Sequence, residues 1–256
     1  MAFSTLHYWS QALGKQVAAH VLIPEGTRVG PLPVLYLLHG YSDDHTMWTR
    51  RSNIERYLSG LPLMVVMPDG GQGFYCDAIQ GFAYQTAIAV DLVKTIDSIY
   101  QTRAERSGRC IGGLSMGGYG AVKLALQYPD LFISAHSHSG AMAFGHNFWR
   151  DQPAMQRILG DKVSGGGPND LYKLAAEADP AQWPALSIDC GKKDFLIEDN
   201  RSFHRHLKKL KRPHEYREYP GEHTWDYWDL HIQQALQFHM RHVGPKPPSR
   251  KTPVKK

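Results

Sequence analysis

Residues 113–117 read Gly-Leu-Ser-Met-Gly and fit the pattern G-x-S-x-G. The apolar run 109–112 precedes them, and a segment rich in alanine, valine and leucine follows. At such a strand–turn–helix junction the serine is held in a strained conformation, so its neighbours have to be small. The pattern predicts that Ser115 is a nucleophile and that the Met116 N–H, at the helix start, faces an oxyanion. The alternatives are a structural glycine-rich turn and a phosphate-binding loop, but the latter needs a Gly-Lys-Ser/Thr triplet that the chain lacks.

A serine hydroxyl needs a base, and the chain contains 14 histidines. In hydrolases built on this turn the order along the chain is serine, acid, histidine, so the base is expected after the last strand. His223 stands in a Pro-Gly-Glu-His turn between that strand and the final helix, whereas His231, His239 and His242 lie within or at the end of the helix. Because a turn residue can reach over the sheet edge, His223 is the predicted base.

The acid that orients this histidine is expected near the strand predicted at 185–190. Asp189 lies within that strand, and Asp199 starts the next helix, where capping the helix is the simpler role. Asp194 lies in the loop at the carboxyl end of the strand. It is therefore the predicted acid, with Asp199 as the alternative.

Residues 39–41 (His-Gly-Tyr) follow another apolar strand, and the Tyr41 N–H is the predicted second donor of an oxyanion hole opposite Met116. His39 is expected to shape this loop through hydrogen bonds. The segment 141–183 carries Trp149 and Trp183, and Trp225 follows His223 by two residues. We predict that these three tryptophans form an aromatic rim for substrate binding.

Short apolar runs that alternate with amphipathic segments must position these residues. We predict strands at 16–23, 33–38, 63–67, 109–114, 131–137, 185–190 and 214–219, and helices at 83–100, 117–127, 199–210 and 225–241. Strands separated by helices indicate right-handed crossovers and a mostly parallel sheet with helices on both faces. The prediction is one α/β domain over residues 1–243, in which 141–183 is an irregular, pocket-lining insertion.

The charge of the chain is uneven along its length. Of 29 lysines and arginines, five lie in residues 244–256 together with four prolines, and the remaining 24 balance the 24 acidic residues. We therefore predict a neutral folded body with a basic, proline-rich, disordered tail. A neutral body favours a small-molecule partner over a nucleic acid or a membrane. A homo-oligomer is compatible with the sequence.

Cysteine usage and the apolar runs bear on the compartment. The chain has an odd number of cysteines, Cys76, Cys110 and Cys190, and their spacing fits neither a CxxC motif nor a zinc site. We therefore expect buried, reduced thiols. No apolar run approaches the roughly 18 residues of a membrane span, and the first twenty residues lack a secretory pattern. The expectation is a cytoplasmic protein.

Three histidines, His136, His138 and His146, suggest a metal cluster at first sight. His136 and His138 are spaced to share one face of a strand, but no carboxylate or cysteine accompanies them at ligand spacing in the sequence. No metal is therefore expected.

Several motifs together resemble the esterase D / S-formylglutathione hydrolase family. They are residues 37–40 (LLHG), 68–70 (PDG), 113–120 (GLSMGGYG), 191–194 (GKKD) and 221–225 (GEHTW) with Trp228. This family includes tributyrin-type carboxylesterases, feruloyl and acetylxylan esterases and antigen 85 type mycolyltransferases. The resemblance covers residues 10–242. It implies an α/β-hydrolase fold, a triad of Ser115, Asp194 and His223, an oxyanion hole from the Tyr41 and Met116 N–H groups, and no cofactor.

Residues 74–77 and 83–91 depart from the aromatic-rich pattern that formylglutathione hydrolases show there. This departure favours a carboxylesterase that hydrolyses short-chain acyl esters through an acyl-enzyme on Ser115. An S-formylglutathione hydrolase and a feruloyl or acetyl esterase of the same family are the alternatives.

Overall fold

The computed structural model describes residues 1–25, 30–147, 152–160 and 165–243. Within these ranges eight strands form one sheet in the order β1-β2-β4-β3-β5-β6-β7-β8. The strands are β1 (Ala2–Ser10), β2 (Lys15–Ile23), β3 (Val34–Leu38), β4 (Met64–Pro68), β5 (Arg109–Leu114), β6 (Ser134–His138), β7 (Ala185–Gly191) and β8 (Glu215–Tyr219).

The strands run mostly parallel. From β4 to β8 every neighbouring pair in the sheet is parallel, while β1 pairs antiparallel with β2, and β2 pairs antiparallel with β4. The carboxyl ends of β3, β5, β6, β7 and β8 therefore meet at one edge of the sheet. The predicted parallel sheet is confirmed.

Helices connect the parallel strands. They are α1 (Met47–Arg51), α2 (Ile54–Tyr57), α3 (Tyr84–Thr86), α4 (Val93–Ile99), α5 (Met116–Gln127), α6 (Pro153–Leu159), α7 (Leu171–Glu177), α8 (Ile197–Lys209) and α9 (Trp225–Val243). A π-helical segment, Ala87–Leu92, joins α3 to α4, so that the helix predicted at 83–100 is one helical stretch with a wider turn inside it.

The core divides into two clusters, one on each face of the sheet, because successive residues of a strand point to opposite faces. In β3 the side chains of Tyr36 and Leu38 belong to the cluster with α5, α7 and α8, whereas those of Leu35 and Leu37 belong to the cluster with α1, α2 and α9. All residues of β3 are buried, as expected for a central strand covered on both faces.

The structure adds elements that the sequence patterns do not reveal. Strand β1 and the two short helices α1 and α2 lie outside the predicted elements, and the described part of residues 141–183 contains α6 and α7. The predicted tail, residues 244–256, lies outside the described residues. None of the helices in the described part of the chain has the length and apolar character that crossing a membrane requires.

Several histidines are buried between the sheet and α9, and they make the stability depend on pH. Burial lowers the pKa of His136 to about 4 and holds that of His239 well below its usual value of 6.5. Because these side chains are readily protonated only in the unfolded chain, unfolding takes up protons between about pH 6.5 and pH 4. The free energy of unfolding therefore decreases as the pH is lowered through this range. When the pH is lowered from 7 to 4, we expect protonation of His136 in the unfolded chain to reduce the free energy of unfolding by about 3 kcal/mol. Urea unfolding at a series of pH values measures this loss.

Matched histidine variants test the cause of this pH dependence. His239→Gln removes a buried ring, so the slope of unfolding free energy against pH should become shallower below pH 6.5. His7→Gln changes an exposed side chain of β1 and should leave the slope unaltered. Equal slopes in the two variants would contradict the explanation.

Candidate active site

Ser115 lies at the turn between β5 and α5. Its backbone has φ +54°, ψ −117°, a region that residues other than glycine rarely adopt, and its N–H donates to the carbonyl of His138 at 2.9 Å. A Cβ atom on Gly113 would lie 2.6 Å from the carbonyl group of Gly117, and one on Gly117 would lie 2.6 Å from the His39 oxygen. The turn therefore accepts only glycine at both positions, which is the requirement inferred from the motif.

His223 lies in the turn between β8 and α9 and reaches Ser115 across the sheet edge. Its Nε2 atom is 3.0 Å from the Ser115 Oγ atom. The Trp228 ring stands perpendicular to the imidazole with a centroid distance of 4.9 Å, and the Phe195 ring is tilted against the imidazole with a centroid distance of 4.5 Å. These rings hold the imidazole in place and leave its side chain 17% exposed.

Asp194 follows β7 and completes a chain of hydrogen bonds. Its two carboxylate oxygens lie 3.0 and 2.9 Å from His223 Nδ1, and Oδ1 also accepts from the Leu196 N–H at 2.8 Å. Because Nδ1 faces an acceptor, it carries the ring proton, and Nε2 is free to accept the proton of the Ser115 hydroxyl. The structure thus brings Ser115, His223 and Asp194 together.

The loop after β3 lies directly against the serine. A Cβ atom on Gly40 would stand 3.6 Å from Ser115 Cβ and 2.8 Å from a methyl group of Leu114. The His39 ring fixes this loop, because its Nδ1–H donates to the Gly40 carbonyl at 2.7 Å while Nε2 accepts from the Gly70 N–H at 2.8 Å. His39 therefore shapes the loop through hydrogen bonds, as predicted.

Aromatic rings surround this group of residues. The centroids of the Tyr41 and Phe74 rings are 5.7 Å apart. Phe74 also stacks on Phe144 of the insertion, with a centroid distance of 3.8 Å. Phe195 is 66% exposed beside the imidazole, and sequence reasoning missed it. Its position immediately after Asp194 is the signal that would have found it, since a residue in the acid loop also faces the edge where the base lies.

The three tryptophans predicted to line the rim have different positions. Trp225 lies at the start of α9, two residues beyond His223, with its ring 5.2 Å from that of Trp48. Trp183 lies before the amino end of β7, where its Nε1–H donates to the Pro213 carbonyl at 2.9 Å. Because the catalytic candidates lie at the carboxyl ends of the strands, the structure does not bring Trp183 to this group. Trp149 lies outside the described residues.

The other two candidate acids lie elsewhere. Asp199 is the third residue of α8, whose N-cap is Leu196, so the predicted capping role is wrong. Burial raises the pKa of Asp199, and its Oδ2 atom has no hydrogen-bond partner among the described residues. Asp189 is buried in β7, where its carboxylate contacts His136 and His138. The sheet therefore places a carboxylate beside these histidines, although the sequence spacing shows none, and His146 pairs with Asp170 instead.

The arrangement of a strained serine, an imidazole and a buried carboxylate is that of a serine hydrolase. A family model described as "Putative esterase" matches residues 10–239. The chain belongs to this esterase family. The predicted family resemblance is confirmed.

Individual relatives agree with this esterase assignment. The chain is 26% identical over 260 residues to an acetyl esterase of Caldicellulosiruptor saccharolyticus, covering 93% of this chain and 98% of the relative. It also matches two Mycobacterium tuberculosis esterases at 30% identity, but it spans about half of their length, 55%.

Two solved structures from Staphylococcus aureus confirm the α/β-hydrolase fold. One is the fluorophosphonate-binding serine hydrolase F, with 33% identity and a TM-score of 0.85. The other is an S-formylglutathione hydrolase, with 32% identity and a TM-score of 0.82. Each alignment covers 93% of this esterase and 98% of the other chain.

Proposed function

We propose that this esterase is a serine carboxylesterase that hydrolyses short-chain acyl esters through an acyl-enzyme on Ser115. The observation that carries the proposal is the unbroken hydrogen-bond chain from the Ser115 hydroxyl through His223 to Asp194, with contacts of 3.0 and 2.9 Å. Its location at a strained strand–helix turn supports a nucleophile rather than a structural serine.

In the first half-reaction the Ser115 oxygen attacks the ester carbonyl carbon while His223 Nε2 takes the hydroxyl proton. The carbonyl oxygen becomes an oxyanion, which the Tyr41 and Met116 N–H groups stabilise. Among the described residues neither N–H donates to a protein acceptor, and Met116 opens the 12-residue helix α5, whose dipole favours negative charge there. The intermediate collapses when the bond to the alcohol oxygen breaks, and the imidazolium returns its proton to the leaving alcohol.

In the second half-reaction His223 takes a proton from water, and the resulting hydroxide attacks the acyl carbon. The acyl–oxygen bond to Ser115 then breaks, the serine oxygen recovers its proton from the imidazolium, and the carboxylic acid leaves. In both half-reactions the Asp194 carboxylate holds the His223 tautomer with the proton on Nδ1 and stabilises the imidazolium.

The surroundings of Ser115 support an uncharged acyl group. Several of the described side chains near the hydrogen-bond chain and the adjacent loop are aromatic, namely Tyr41, Phe74, Phe195 and Trp228. Burial of a charged acyl group without a partner is costly, so such surroundings favour neutral esters. The similarity to an acetyl esterase over nearly the full length of both chains supports a short acyl group.

We expect kcat/KM to be high for p-nitrophenyl acetate and butyrate and to fall steeply for the laurate. Methyl ferulate and S-formylglutathione test the alternatives in the same assay. A hundredfold preference for the thioester corresponds to about 2.7 kcal/mol of transition-state binding. Such a preference would show that the protein is an S-formylglutathione hydrolase and not a general carboxylesterase. A preference of similar size for methyl ferulate would indicate a feruloyl esterase.

A charge control separates the thioester from the neutral esters. S-formylglutathione carries two carboxylates, and the exposed Lys192 and Lys193 next to Asp194 are the cations nearest in sequence to the acid. If the thioester is the substrate, changing both lysines to Met should lower its kcat/KM while that for p-nitrophenyl acetate is kept. The same double change at the exposed Lys208 and Lys209, at the far end of α8, should affect neither substrate.

We also infer a reducing, cytoplasmic location. All three cysteines, Cys76, Cys110 and Cys190, are buried free thiols, and burial raises the pKa of each. Protonated, buried thiols behave as apolar core residues and do not need an oxidising compartment. The proposed partner is a small ester, without a nucleic acid or a membrane.

A further inference from the structure

A buried carboxylate joins three elements below the active site. Asp189, in β7, is 4% exposed. Its Oδ2 atom lies 2.9 Å from His136 Nε2 and 2.8 Å from His138 Nδ1, both in β6. Its Oδ1 atom accepts the Tyr227 hydroxyl of α9 at 2.8 Å. We call Asp189 and these three partners the Asp189 network.

The network is attached to the turn that carries the nucleophile. The carbonyl of His138 accepts the Ser115 N–H at 2.9 Å, so the position of the His138 backbone sets the position of the strained serine. The Ser139 N–H in turn donates to the Asp189 carbonyl at 2.7 Å. Asp189 therefore holds the end of β6 at two adjacent residues, through its carboxylate at His138 and through its backbone carbonyl at Ser139.

The network is also attached to the turn that carries the base. The Tyr227 ring packs on Gly221, where a Cβ atom would lie 2.5 Å from the ring and where φ is +144°. The next residue in α9, Trp228, donates its indole N–H to Ser139 Oγ at 3.3 Å and stands against the His223 ring. A shift of Tyr227 would thus move the Gly221 turn and the imidazole together.

The charge state of the network follows from its donors. Burial lowers the pKa of His136 to about 4, so this ring is neutral. Burial alone would raise the pKa of Asp189, but contacts with His138 and His136 hold it below its usual range. The carboxylate accepts hydrogen bonds from His136 Nε2 and from the Tyr227 hydroxyl, and His138 Nδ1 lies 2.8 Å from the oxygen that His136 contacts.

The same three residues, His136, His138 and Asp189, place their ligand atoms within 4.8 Å of one another, as a metal site would. Metal binding would move each ring proton to the outer nitrogen, His136 Nδ1 or His138 Nε2. Both atoms are buried without a hydrogen-bond partner among the described residues, whereas metal-bound histidines donate this N–H to an acceptor. The surroundings therefore suit a hydrogen-bonded network better than a metal.

We propose that Asp189 is a positioning residue that aligns the nucleophile turn and the base turn with each other through His138 and Tyr227. The inference rests on the proposed serine-esterase mechanism. Its basis is that one carboxylate contacts β6, behind Ser115, and α9, just beyond His223. Misplacement of the reacting groups by about 1 Å can lower the rate of the chemical step about a hundredfold.

Tyr227→Phe tests the network by removing one hydroxyl group. Active sites are titrated with a fluorophosphonate, and kcat and KM are measured with p-nitrophenyl acetate. We expect kcat per titrated site to fall about tenfold, with KM within twofold, and Asp189→Asn to lower kcat further, about a hundredfold. The matched control is Tyr57→Phe, because the Tyr57 hydroxyl donates to Asp229 of the same helix α9 at 3.2 Å. This control should leave kcat and KM unchanged.

The outcomes separate positioning from a merely structural role. A structural role would lower the midpoint of thermal unfolding or the titratable fraction but leave kcat per titrated site as in the wild type, and this result would overturn the proposal. So would stoichiometric zinc in the purified protein that Asp189→Asn abolishes. A wild-type protein without ester turnover would instead refute the serine-esterase mechanism itself, and with it the positioning role.

Discussion

Ser115→Ala and His223→Ala should each lower kcat for p-nitrophenyl acetate by about 10⁴- to 10⁶-fold. Alanine at 115 removes the atom that forms the acyl-enzyme, and alanine at 223 removes the only group within hydrogen-bond distance that can take the hydroxyl proton among the described side chains. Because the two residues act in one proton transfer, the double variant should be little worse than either single variant. Steady-state kinetics of the three variants measure this non-additivity.

Covalent labelling complements the kinetics. A fluorophosphonate should label Ser115 of the wild-type protein, and Ser115→Ala should abolish labelling. His7→Ala, at an exposed position of β1, controls for the loss of a histidine and should keep full activity. If the fold-reductions in kcat of the two single variants multiplied in the double variant, the two residues would act independently. This result would contradict their assignment to one mechanism.

Asp194→Asn should lower kcat by about 10³- to 10⁴-fold. The carboxylate now accepts the Nδ1–H of His223 with both oxygens, whereas an amide can present its NH₂ group to the ring. This would favour the tautomer with the proton on Nε2, which cannot accept the Ser115 proton. The loss of the base is measured by determining kcat of the variant over a range of pH values and comparing it with kcat of the wild type.

Asp199→Asn is the matched control for this substitution. Asp199 is half-buried in α8, burial raises its pKa, and the structure gives it no contact with His223. Its amide variant should therefore keep kcat within about threefold, and the removal of a partly desolvated charge should not lower stability. If Asp199→Asn were the more damaging of the two changes, Asp199 would be the acid.

Local patterns in the sequence predict much of the fold and of the candidate site. The elbow around Ser115 is a steric consequence of a few neighbouring residues, since a Cβ atom at Gly113 or Gly117 would clash with the backbone. His223 is identified by the order of serine, acid and histidine along the chain and by the turn that separates the last strand from the last helix. Strand β5, at Arg109–Leu114, is where the apolar pattern predicts it, and β7 differs by one residue.

Contacts between distant segments required the tertiary structure. Asp189 lies 51 residues beyond His138, and only the pairing of β6 with β7 makes them neighbours. Trp183 is close in sequence to the acid loop, yet it lies at the opposite end of β7, because a strand of seven residues carries its two ends to opposite edges of the sheet. Composition and periodicity report the local conformation of the chain. Which side chains meet depends on strand order and register, and these are decided by the packing of the whole sheet.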